Sequence, residues 1–217
     1  MKSIEERKNI VVCVSGSGRS LLNLLVLEKT SNYHISSVIT SNENCKALEH
    51  AKRYDKNIHT MKFLTKENSV DYGKMAKKLT RIMVEESVEL IVLAGFLKLF
   101  PAELFSLGPK IINIHPALLP EFGGKGMFGM NVHEAVIKSG VKITGATVHF
   151  VNEKYDEGRL ISQIKVMIKP SDSPQSLSER VFEAEKILLP ETIKMILDGS
   201  LSENTAEIHQ IVAKDQQ

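Results

Sequence analysis

Four short apolar runs, rich in Val and Ile and unbroken by polar alternation, constrain this chain's fold more than any other feature: Ile10–Ser15, Ile35–Thr40, Leu90–Ala94 and Ile111–His115. Unbroken runs of this kind belong to strands covered on both faces, whereas an open sheet face imposes alternation. Between them lie amphipathic stretches, Ser20–Lys29, Asn44–Tyr54 and Val70–Glu86, whose periodicity predicts helices. Strands alternating with helices build parallel βαβ units, so the expected core is an α/β, doubly wound, Rossmann-like sheet. Two later runs, Thr144–Val151 and Leu160–Ile168, alternate more and are joined by the turn-like KYDEG. They predict an antiparallel C-terminal extension of the same, mostly parallel sheet. A last helix is expected from about Leu177 to Asp198, kinked or interrupted at Pro190.

Length and composition narrow the function classes. A chain of 217 residues is read as one domain, 1–217, with halves at 1–110 and 111–217. A net charge of +2 with dispersed basic residues gives no electrostatic footprint for nucleic acid. The lack of tryptophan argues against a base-stacking platform. Cys13 and Cys45 are the only cysteines, too few for a disulfide framework, and they point to a reducing cytoplasm. The N-terminal MKSIEERKNIVV has no signal-peptide pattern, and no window approaches the roughly 18 apolar residues of a membrane span.

In doubly wound sheets, ligands bind beyond the carboxyl ends of the strands, so the polar residues there come first. SGSGRS follows the first strand and opens a helix. Its glycines permit a tight turn, and a helix N-terminus offers backbone N–H groups to an anion. The loop is equally compatible with phosphate binding and with turn geometry alone. It does not match the dinucleotide fingerprint, because Leu21 stands where the third glycine belongs. GGKG at 123–126 is no Walker loop, since it lacks the following Ser or Thr.

The strand Ile111–His115 carries two polar residues, Asn113 and His115, that share one face. Pro116 restricts the backbone of His115 to extended geometry. An amide donor beside an imidazole suits oxyanion stabilisation in acyl transfer, although a lone histidine also serves structural ends. No metal site is expected: HEAVI at 133–137 has Ile137 where a zincin helix needs its second histidine. There is no G-x-S-x-G elbow, which favours a nucleophile supplied by the substrate. Asp156 in EKYDEG, taken alone, reads first as a turn former. Glu185 falls inside the apolar arc of Leu177, Val181 and Leu188, where a carboxylate requires a partner.

Taken together, IVVCVSGSG, IVLAGFLKLF, INIHPALLPEFGGKGM, GATVHFVNEKYDEG and the late AEKILLP resemble the glycinamide ribonucleotide formyltransferase family over most of the chain. The resemblance implies the formyltransferase fold, with a phosphate-binding first half and a catalytic, folate-binding second half. It implies transfer of a formyl group from 10-formyltetrahydrofolate, a co-substrate, to the amine of glycinamide ribonucleotide, with no metal. Asn113, His115 and Asp156 become the catalytic set. Ser17, Gly18, Arg19, Ser20 and Leu21 would cradle the ribose phosphate, and Glu185 would meet the glycinamide. Leu97, Lys98, Leu99 and Phe100 would line the folate pocket with Asn113 and the loop Asn152, Glu153, Lys154, Tyr155 and Asp156. The expected partners are these small molecules, with no nucleic acid and no membrane, and the expected assembly is a monomer or homodimer. Rival readings are a formyltetrahydrofolate hydrolase, a sugar-amine formyltransferase and a non-catalytic phosphate-binding module. The extra C-terminal domain of methionyl-tRNA formyltransferases and the N-terminal domain of the hydrolases are not expected here. Three departures stand out. The phosphate loop reads Gly-Ser-Gly-Arg-Ser where the family has Gly-x-Gly-Ser-Asn. No folate-tail arginine stands near Ser69. The stretch GGKGMFGMN is longer than in some relatives.

Overall fold

A computed structural model describes residues 7–61, 71–106, 108–201 and 208–211. The expectations at Ser69 and at Val70 therefore lie outside the described residues. The strands form an eight-stranded sheet in the order β3-β2-β1-β4-β5-β6-β7-β8, and the chain divides into two compact units, Met1–Ile112 and Asn113–Gln217.

The first unit contains β1 (Lys8–Val14), α1 (Arg19–Leu27), β2 (Tyr33–Thr40), α2 (Ala47–Arg53), β3 (Asn57–Thr60), α3 (Tyr72–Glu85) and β4 (Val88–Leu93). β1 pairs in parallel with both β2 and β4, and β2 pairs in parallel with β3. Ile10–Val14 of β1 are buried throughout, as an unbroken apolar run requires. The sequence reading misses β3, because NIHT is polar, short and only partly buried. α3 starts at Tyr72 because Asp71 caps it, its carboxylate accepting from the Lys74 N–H at 3.0 Å. A short 3₁₀ turn, Glu28–Thr30, ends α1, and buried Glu28 ties it to its neighbours. Glu28 Oε1 lies 2.7 Å from Lys56 Nζ, 2.7 Å from His34 Nδ1 and 2.9 Å from the Ile35 N–H.

β5 (Lys110–His115) runs into the second unit, which holds α4 (Met130–Ser139), β6 (Ile143–Phe150), β7 (Leu160–Met167), α5 (Pro174–Leu197) and β8 (His209–Gln210). β6 and β7 are antiparallel, as the alternation predicted, with Thr147 opposite Gln163. α5 begins three residues earlier than its periodicity suggests, because Ser173 and Ser176 form a reciprocal capping box with Pro174 at the first turn. It continues through Pro190 without interruption. Leu177, Val181, Ala184 and Leu188 form its buried face. No helix among the described residues is long and apolar enough to cross a membrane.

Candidate active site

In the second unit, β5 delivers Asn113 and His115 to one face of the sheet, and the chain then turns across that face. The turn is fixed by two polar residues buried in β6 and β7. Thr147 Oγ1 donates to the Ala117 carbonyl at 2.7 Å and accepts from the Leu119 N–H at 3.0 Å. Gln163 Nε2 donates to the Leu119 carbonyl and to Thr147 Oγ1, each at 3.0 Å. The Thr147 hydroxyl and the Gln163 amide nitrogen are therefore both satisfied under the turn, which makes their burial tolerable.

The loop between β6 and β7 brings Asp156 to the same place. Its backbone has φ of 58°, a left-handed conformation that aspartate tolerates better than most residues. Gly158 explains how the loop fits: a Cβ there would stand 1.6 Å from the Phe150 carbonyl oxygen. The backbone thus lies flush against the end of β6, and Asp156 is drawn over Asn113 and His115.

Four side chains meet: Asn113, His115, Asp156 and His149. The Asn113 amide nitrogen donates to His149 Nε2 at 3.1 Å and to Asp156 Oδ1 at 3.3 Å. His149 Nδ1 faces the Phe150 carbonyl at 2.8 Å, and since a carbonyl only accepts, Nδ1 carries the hydrogen. Nε2 of a neutral His149 is then free to accept from Asn113. It also lies 3.5 Å from Asp156 Oδ1, so a proton on Nε2 would face that carboxylate. His115 Nε2 lies 2.8 Å from the Phe122 carbonyl and Nδ1 lies 3.5 Å from Asp156 Oδ2. Asp156 Oδ2 accepts from the Gly124 N–H at 3.0 Å.

His115, His149 and Asp156 are all sheltered, the first two almost completely. Burial alone would raise the Asp156 carboxyl, but His149, His115 and the Gly124 N–H together hold it below the ordinary carboxylate range. Burial pulls the His115 imidazole below its ordinary value and outweighs the opposing pull of Asp156. An ionised Asp156 thus does not by itself keep His115 protonated, as simple pairing suggests. His115 has acceptors at both nitrogens yet holds its second proton loosely, the condition of a ready proton donor. Nearby His133, on α4, is pushed down to about 4 by burial and by His115.

The other sequence-predicted residues sit as follows. In the first unit, Gly18 caps α1 in a left-handed conformation without a side-chain cap bond. A Cβ on Gly18 would stand 2.6 Å from Ala47, so this glycine also serves packing of α1 on α2. Ser17 is exposed, Arg19 and Ser20 are half-buried, and the Leu21 side chain is in the core. Leu97 and Lys98 are exposed, Leu99 is half-buried, and Phe100 is buried edge-on against Phe96. In the second unit, Glu185 is half-buried on α5. Asn152 Oδ1 accepts from the Lys154 N–H, and Lys154 pairs with Glu157; Glu153 and Tyr155 are exposed on the same loop. No group of His, Cys, Asp or Glu among the described residues has the arrangement to hold a metal ion. Sequence reasoning missed His149, Thr147 and Gln163. No local signal marks them: β6 and β7 read as alternating strands, in which polar residues ordinarily face water.

A family model described as formyl transferase matches residues 8–193. A phosphoribosylglycinamide formyltransferase from Arabidopsis thaliana, chloroplastic by its name, is 36% identical over 88% of this chain and 66% of its own length. One from Vigna unguiculata is 35% identical over 88% of this chain and 62% of its own. The chain thus spans slightly less than two thirds of the length of these curated relatives. The crystal structure of a phosphoribosylglycinamide formyltransferase from Anaplasma phagocytophilum superimposes with a TM-score of 0.80 at 29% identity, covering 96% of this chain and all of that one.

Proposed function

Because the chain belongs to the formyl transferase family, we propose that it transfers the formyl group of 10-formyltetrahydrofolate to the amine of 5-phosphoribosylglycinamide, a step of purine synthesis. The observation that carries this reading is the Asn113 amide held between His149 and Asp156 beside a buried His115. The names and coverage of the relatives support the substrate pair.

The substrate amine attacks the formyl carbon, forming one C–N bond and a tetrahedral oxyanion. Asn113 donates to that oxygen. Both of its amide hydrogens are engaged beforehand, and the longer bond, to Asp156, is the one the oxyanion takes over. Collapse breaks the bond to the folate nitrogen; the proton lost by the attacking nitrogen passes to His115, which delivers it to the folate nitrogen, directly or through water. Asp156 steadies the imidazolium that carries the proton. No covalent enzyme intermediate is needed. The α1 N-terminus, Ser17–Leu21, binds the ribose phosphate through backbone N–H groups. Glu185 receives the glycinamide amine. Leu97–Phe100 and Asn152–Asp156 contact the folate, with Phe100 acting from behind through its packing. The whole of 1–217 works as a single formyltransferase domain, as monomer or homodimer. Two free, buried cysteines support a reducing compartment such as the cytoplasm.

The test is release of tetrahydrofolate, followed spectrophotometrically with and without glycinamide ribonucleotide. Acceptor-dependent release is expected, and His115→Ala should lower kcat by on the order of a hundredfold or more. Release without acceptor would mean a hydrolase, and none at all would mean a binding module.

A further inference from the structure

The turn after β5 holds both members of the His115–Asp156 pair through its own backbone. Phe122 and Gly124 stand two residues apart. The Phe122 carbonyl accepts from His115 Nε2 at 2.8 Å, and the Gly124 N–H donates to Asp156 Oδ2 at 3.0 Å. That same Oδ2 lies 3.5 Å from His115 Nδ1, beyond a good hydrogen bond. The turn itself is costly to form. Phe122 has φ of 57°, a left-handed conformation unusual for a bulky residue, and Gly124 has φ of 96°. Between them, a Cβ on Gly123 would stand 2.5 Å from Leu119 Cδ2 and 3.1 Å from Asp156 Cβ, so the backbone lies flat against the aspartate.

We propose that Phe122–Gly123–Gly124 is a backbone clamp that holds His115 and Asp156 just out of direct hydrogen-bonding range, and so sets how firmly His115 keeps its proton. This rests on the catalytic reading of the pair given above. The carbonyl fixes the hydrogen on Nε2, which leaves Nδ1 as the nitrogen that titrates. The N–H anchors Oδ2, the carboxylate oxygen that faces Nδ1. Oδ2 has lone pairs for both donors, but the Gly124 bond fixes where it sits, 3.5 Å from Nδ1. The other titratable groups acting on His115 are His149, which opposes its protonation, and His133, which is itself opposed by a charged His115. His149 faces Oδ1 instead, so releasing the clamp leaves Nδ1 as the donor that Oδ2 faces. The carboxylate then turns to Nδ1 and the imidazolium becomes too stable to release its proton. The clamp residues are positioning residues, acting through His115 and Asp156.

The experiment replaces the Gly124 amide by an ester, which deletes only the N–H. Gly124→Ala serves as the second variant: its Cβ meets no atom within 4 Å, but its φ is unfavourable for an L-residue. His115 is titrated by NMR through its ring protons, without substrate, and kcat and KM are measured alongside. The expected result is a His115 titration moved to higher pH. kcat should fall on the order of 10- to 100-fold, with KM for both substrates within a few-fold. An unmoved His115 titration in the folded ester variant overturns the clamp. A moved titration with unchanged kcat supports the clamp and instead removes the catalytic role of His115, so the two failures are told apart.

Discussion

Asn113 has only two amide hydrogens, and both are committed before any substrate arrives. Its orientation therefore depends on His149, whose ring is in turn fixed by the Phe150 carbonyl. Replacing His149 by Ala leaves one amide hydrogen without an acceptor and frees the side chain to rotate. We expect kcat to drop about tenfold or more with KM little changed, since only an interaction at the reacting carbon is weakened. An equal rise in KM would show that His149 shapes substrate binding instead. Asn113→Asp is expected to be worse, because it sets two carboxylates against each other beside Asp156. Two predictions of this kind differ in legibility. Asn113 and His115 are readable in NIHP because they interrupt an unbroken apolar strand. His149 and Thr147 are not, because they fall on the alternate positions of GATVHF, where polar residues ordinarily face water. Here that face is covered by residues 116–122, which no local pattern announces.

At the level of elements, two devices hold the frame of the site and of the first unit. Gly158 lets the β6–β7 loop pass against the Phe150 carbonyl, and Gly158→Ala puts a methyl where backbone stands. The expected outcome is loss of the Asp156 position, read as loss of turnover far exceeding any fall in thermal midpoint. Glu28 is the second device, joining the end of α1 to β2 and to the α2–β3 connection through Lys56, His34 and the Ile35 N–H. Glu28→Ala leaves the sheltered Lys56 ammonium and a buried N–H unpaired, for an expected loss of about 3 kcal/mol in urea unfolding. Removing a surface pair such as Arg81–Glu85 should change the midpoint little by comparison. Element boundaries follow the same division between local and distant causes. The starts of α3 and α5 are set by Asp71 and Ser173, side chains within the local sequence. β3 is a strand only because β2 offers its edge.

Across the whole molecule, acid sensitivity follows from histidines that fold in their neutral form. His133 is 4% exposed and its Nδ1 has no hydrogen-bond partner, so protonating it within the fold is unfavourable. Its folded value of about 4 lies below the ordinary 6.5, and the unfolded chain binds more protons between those values. Stability is therefore full above about pH 6.5 and falls as pH drops towards 4, His133 alone accounting for roughly 3 kcal/mol. Urea midpoints measured from pH 7.5 to 4.5 should decline, and His133→Gln should flatten that decline; an unchanged slope would refute the assignment. The sequence alone determined the layered α/β plan, because unbroken Val- and Ile-rich runs are stable only where both faces are covered. It also singled out Asn113 and His115 as candidates, since polar groups at the end of such a run need a reason to be there. Only the tertiary structure decided which groups satisfy them. The partners of a buried amide or imidazole are hydrogen-bonding atoms brought from distant segments, and the Phe122 carbonyl and Gly124 N–H are backbone, identical in every residue until the chain has folded.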